Sequence, residues 1–113
     1  MLQISNKPSK RAILVIFNKK NITTLPFFDT EEKKAIQHKF DGNTKVITFS
    51  KQTFVYILCP VDSAEETPEL HEKMRIQGHN IYKACKDSNE TDVSLEVLGD
   101  ISKRILASIL TGL

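Results

Sequence analysis

The sequence predicts an α/β sandwich with a mostly parallel central sheet. Two observations made on the residues themselves point to the α/β class. Patterned segments follow one another as strand, helix, strand, strand, helix, strand, helix, and such alternation lays helices over a largely parallel sheet. The first strong segment, Arg11-Ala-Ile-Leu-Val-Ile-Phe17, is an unbroken run of branched apolar residues, the pattern of a strand buried on both faces. Length sets the scale: 113 residues make one domain, 1–113, whose folding removes roughly two-thirds of the unfolded surface from water.

After the first strand, residues 21–28 read as a connection, with Pro26 as a breaker and with Phe27 and Phe28 as exposed or half-packed aromatics. Asp29 and Thr30 offer side-chain oxygens to cap a helix, and Glu31 and Glu32 favour the positive end of its dipole. The helix should stop before the turn dipeptide Asp41-Gly42. A hairpin-like pair follows, 45–49 and 53–58, joined across Ser50-Lys51-Gln52. In the next helix Thr67 is the expected N-cap and Pro68 the first residue, where a missing N–H is harmless. Leu70, Met74, Ile81, Tyr82 and Cys85 recur at spacings that share one helical face, to about Lys86. Gly78 lies on that face. Glycine inside a helix costs about 1 kcal/mol relative to alanine, so its place there implies close approach of another backbone.

A polar loop at 87–92 leads to a short strand at 93–98, and Gly99-Asp100 opens the last helix, with Ile101, Ile105, Ile109 and Leu113 along its apolar face. Leu106 and Leu110 make this helix apolar on more than one side, and it is expected to continue, or to pack on something, beyond Leu113.

Composition excludes several classes. Charged residues are 27% and hydrophobic ones 40% of the chain, with a formal net charge of +2, which is unlike a disordered chain. The longest nearly uncharged run, 53–61, is less than half of what a bilayer crossing needs. Residues 1–10 are polar without the apolar core of a secretory signal, so a cytoplasmic protein with no membrane partner is expected. Cys59 and Cys85 are far apart and belong to no metal-type cluster; buried, reduced thiols are expected. His71 and His79, eight positions apart on one helix, stand about 12 Å apart along its axis, too far to share a metal ion. With Glu72 and Arg75 they read as a solvated polar face. Glu65, Glu66, Glu69 and Glu72 form an acidic run at a helix start. The four glycines are isolated, and Asp100 after Gly99 would repel a phosphate there. Lys7, Lys10, Arg11, Lys19 and Lys20 make the start basic, a weak sign of nucleic-acid contact because aromatics are not interleaved. On this reading the chain carries no catalytic, cofactor-binding or metal-binding residue of its own.

Four segments share the spacing of one known family. Phe40-Asp-Gly-Asn-Thr-Lys45 leads into Val46-Ile-Thr-Phe49, the strand Phe54-Val-Tyr-Ile-Leu58 follows, and the long helix carries Leu70 with an Arg-x-x-Gly pattern at Arg75 and Gly78. Thr111-Gly112-Leu113 is similar to the beginning of a Glu-Gly-x-x-Leu motif. Over about two-thirds of its length the chain therefore resembles the N-terminal domain of the cytosolic leucyl aminopeptidases, the M17 metallopeptidase family. It departs from the pattern at Cys59-Pro60-Val61-Asp62, where a glycine-containing segment is usual, and in a short stretch between Lys86 and Gly99.

The resemblance implies an α/β fold of the macro-domain-like kind, a three-layer sandwich with a mixed, mostly parallel sheet, and a non-catalytic assembly or regulatory role, with homo-hexamers in the parent. It also implies a C-terminal peptidase domain in cis, absent from this chain. That domain would hold two divalent metal ions, Zn or Mn, and the Asn-Thr-Asp-Ala-Glu-Gly-Arg metal segment, and would remove N-terminal residues from peptides. Two alternatives stand beside it: a stand-alone macro-like module for ADP-ribose or a related nucleotide, and a DNA-contacting accessory domain.

Overall fold

A computed structural model describes residues 3–5, 11–18, 22, 24–26, 28–42, 45–51, 53–61, 67–90, 92–99 and 101–113. The elements run β1 (Gln3–Ser5), β2 (Ala12–Asn18), α1 (Thr30–Asp41), β3 (Ile47–Lys51), β4 (Phe54–Val61), α2 (Pro68–Asp87), β5 (Asp92–Leu98) and α3 (Lys103–Thr111). They form a mixed α/β fold whose sheet has the order β1-β5-β2-β4-β3. Every neighbouring pair is parallel except β3 with β4.

Alternation along the central strands explains why their sequences are apolar throughout. Leu14, Ile16, Ile57, Cys59 and Val61 enter one buried cluster with Leu70, Met74, Ile81 and Cys85 of α2 and Ile105 and Ile109 of α3. Val15, Phe17, Tyr56 and Leu58 point the other way, to Ile36 and Phe40 of α1 and to Ile22, Leu25 and Phe28 of the connection before it. Each face of β2 and β4 thus has its own core, and no polar alternation is left to betray a strand.

The helix starts follow local chemistry. Asp29 and Glu32 form a capping box: the Glu32 N–H donates to Asp29 Oδ1 at 2.8 Å and the Asp29 N–H to Glu32 Oε1 at 2.9 Å. Thr67 Oγ1 accepts from the Leu70 N–H at 3.1 Å, with Pro68 opening α2 as expected. For α3 the cap is Ser102, whose Oγ accepts from the Ile105 N–H at 3.2 Å, so the helix begins later than Gly99-Asp100 suggested.

Other expectations are corrected. The fragment β1, which the polar start did not signal, pairs in parallel with β5 through Ile4 and Val93. The hairpin turn falls later than expected: β3 continues through Ser50 and Lys51, with Lys51 opposite Phe54. Lys51 is held there by an ion pair to Glu32 at 3.0 Å and lies 5.9 Å from the centre of the Phe28 ring. Phe28 itself is buried, edge-on to Phe49 and Tyr56 at 5.1 and 5.0 Å between centroids. Phe27 lies outside the described residues. On α2, Tyr82 is 38% exposed and leaves the expected apolar stripe, whose buried face carries Gln77 besides Leu70, Met74, Gly78, Ile81 and Cys85. β4 also runs on through Pro60, which sits opposite Phe17 of β2. The ladder to β3 has already ended at Leu58, so β4 has a partner on one side only at that point and can spare an N–H.

Candidate interaction sites

The tightest contact between helices lies where α2 meets α3. A Cβ built on Gly78 would overlap the Ile109 carbonyl oxygen and sit 3.1 Å from the Gly112 carbonyl carbon. A Cβ on Gly112 would in turn overlap the Arg75 carbonyl oxygen. The two glycines therefore present Cα–H groups to carbonyls of the opposite segment, a reciprocal contact of the kind that lets backbones pack without side chains between them. The close approach expected at Gly78 is present, and its partner is the end of α3.

One turn away, His71 and Ser108 join the same two helices, with Nδ1 and Oγ 2.7 Å apart. The Ser108 hydroxyl donates to the Arg104 carbonyl at 3.0 Å. The His71 and Ser108 pair pins the two helices together. His71 is accordingly half-buried rather than part of a solvated face. Glu72 and Arg75 are solvated, as expected, and paired at 2.6 Å; the guanidinium holds the Glu72 carboxyl below the usual range. His79 is exposed and stacks on Tyr82 with 6.4 Å between ring centres. His38 is exposed on α1.

A second polar junction fastens α2 to the residues just before β3. The nearly buried Gln77 donates through Nε2 to the Lys45 carbonyl at 2.8 Å and to Cys59 Sγ at 3.6 Å, and its Oε1 accepts from Asn80 at 3.1 Å. Burial pushes the Cys59 thiol up to about 12, the Gln77 hydrogen bond offsetting part of the effect. Burial, with Glu90 nearby, pushes Cys85 up to about 11. Both cysteines are free and buried, in line with the sequence expectation. Neither presents a thiolate at neutral pH.

The third site is the carboxyl edge of the parallel strands. Asn18 of β2 lies opposite Val61 of β4, and Phe17 opposite Leu98 of β5. The chain leaves β2 toward α1 on one face of the sheet and leaves β4 and β5 toward α2 and α3 on the other. Strand ends at which successive connections part to opposite faces form the crevice in which open α/β sheets bind ligands. Gly99, directly after β5, has φ 88°, a conformation that side chains resist.

Among the described residues, no three His, Cys, Asp or Glu side chains are grouped as a metal ion would require. No described helix is long and apolar enough to cross a membrane. Of the basic start, Arg11 pairs with Glu90 at 3.4 Å; Lys7, Lys10, Lys19 and Lys20 lie outside the described residues, as do Glu65, Glu66 and Asp100. No protein-family model, curated protein or solved structure matches this chain.

Proposed function

We propose that this chain is the non-catalytic N-terminal domain of an M17-type leucyl aminopeptidase, a macro-like three-layer module that serves assembly of a cytoplasmic oligomer. One observation supports the reading above others. Two of the segments on which the family resemblance rests, Arg75-x-x-Gly78 and Thr111-Gly112-Leu113, meet in space, each glycine against the other segment's backbone. In this reading the Arg-x-x-Gly spacing is a packing motif: the glycine admits α3, and the Arg75 carbonyl receives Gly112. The α2–α3 pair is then a rigid unit, and its remaining apolar surface, such as Leu110 at 38% exposure, is available to a neighbouring domain.

Peptide hydrolysis belongs, on this proposal, to a separate domain that holds two divalent metal ions, Zn or Mn. The described residues of this chain offer no site that fits them, and no step of that reaction is assigned to its side chains. The test compares release of leucine from leucine p-nitroanilide, with Mn or Zn added, by the 113-residue chain and by the product of the same gene extended downstream. Activity confined to the extended product supports the proposal; metal-dependent activity of the short chain contradicts it.

The carboxyl edge, with Gly99 at positive φ, favours a second reading, a stand-alone module for ADP-ribose or a related nucleotide. Calorimetry with ADP-ribose separates the two, since the assembly reading expects no heat of binding.

A further inference from the structure

We propose that the free edge of β3 and the adjoining flank of α2 form a docking strip for an acidic segment of another protein, bound in extended conformation. The inference stands apart from the assembly role, which rests on the opposite flank of α2. β3 is the last strand of the sheet, and among the described residues only β4 pairs with it. An edge strand offers a row of backbone N–H and C=O groups to an incoming strand. On the side of the sheet that faces α2, Thr48 and Ser50 are exposed, so the helix does not cover this strand.

Two adjoining hollows of about 360 and 430 Å³ follow the helix flank and share Lys45 and Asn80. Three lysines line them, Lys45, Lys73 and Lys83, against a single carboxylate, Asp87. None of the three has a carboxylate partner among the described residues. Ile76, 53% exposed, adds apolar surface between the cations. The charge selects an acidic partner, and the open edge selects an extended one.

The spacing specifies the partner further. Lys73 and Lys83 are about 15 Å apart along the helix at ~1.5 Å rise per residue. A strand advances ~3.3 Å per residue and repeats its face every second residue. Carboxylates at positions i and i+4, about 13 Å apart, therefore reach both lysines from one face, with an apolar residue at i+2 beside Ile76.

The peptide Thr-Glu-Thr-Val-Thr-Glu-Thr, titrated into the isotope-labelled full chain and followed by NMR, tests the proposal. Amide shifts are expected along β3 and along residues 73–87. Affinity should fall roughly tenfold in the Lys73→Glu, Lys83→Glu double variant and also in about 0.5 M salt. Both lysines are exposed, so the variant should keep the wild-type spectrum outside the strip, and a single reversal serves if the double variant does not fold. Three results would overturn the proposal: no shifts at about 1 mM peptide, equal binding of the same peptide with Lys in place of Glu, or shifts of β3 that grow with protein concentration alone. The last would assign the edge to a second copy of the chain.

Discussion

Gly78 and Gly112 have no room for a methyl group, and the atoms in the way are backbone. Gly78→Ala must therefore push α3 off α2 and is expected to cost about 1–3 kcal/mol, as overpacking of a well-filled site does. Gly42→Ala is the matched control. Its Cβ would lie 3.4 Å from the Lys39 carbonyl oxygen, in ordinary contact, and φ is −83°. Urea midpoints of the two variants should separate clearly; equal midpoints would mean that the crossing is looser than described. Gly78 was legible in the sequence because it interrupts an apolar stripe. Its partner was not, since nothing local marks which later segment will arrive there. The same holds for His71 and Ser108, 37 positions apart.

The buried thiols give a pH signature. Cys59 and Cys85 both ionise at higher pH in the folded chain than the ordinary value of 9.0. Above about pH 9 the unfolded chain has lost protons that the folded chain keeps, so the thiols' contribution to stability is constant below that point. That contribution falls as pH rises toward 11 for Cys85 and 12 for Cys59, with a slope approaching about 1.4 kcal/mol per pH unit for each thiol. Urea unfolding at about pH 8 and pH 10.5 should show the drop, and Cys59→Ala should show a smaller one. An equal drop in the variant would place the alkaline sensitivity elsewhere.

Among the elements, those with chemical punctuation were legible and those without were not. Asp29 and Thr67 announced α1 and α2 correctly because a side-chain oxygen before an amphipathic run satisfies otherwise orphaned N–H groups. Asp29→Ala removes one half of a capping box and should lower stability by about 1 kcal/mol, read as a shift of the thermal midpoint; no shift would show that Glu32 and the Lys51 ion pair hold the first turn unaided. Gly99-Asp100 looks like a turn and cap and points to an early start for α3, whereas the first turn is capped by Ser102. The turn of the hairpin is hidden for a different reason. Ser50 and Lys51 are polar, but on an edge strand polar residues face solvent and cost nothing, so composition does not mark the turn. β1 has only three residues, too few to show a period, and it is placed by pairing with β5 and by Ile4 packing on the core.

For the whole molecule, the alternation of elements was enough to foresee an α/β fold with a mostly parallel sheet, because strands buried on both faces must be apolar throughout. Strand order was beyond reach. β5 comes late in sequence yet lies between β1 and β2, and no local pattern in it names those two neighbours. The candidate sites follow the same division. The α2–α3 crossing was half legible through Gly78, while the lysine-lined strip beside β3 joins residues of two distant segments and is visible only once the sheet is built. The assembly role is tested most directly by the coding sequence downstream of Leu113. The proposal predicts that it continues in frame into a peptidase domain containing the Asn-Thr-Asp-Ala-Glu-Gly-Arg metal segment. A stop codon there, or a continuation without that segment, would contradict it.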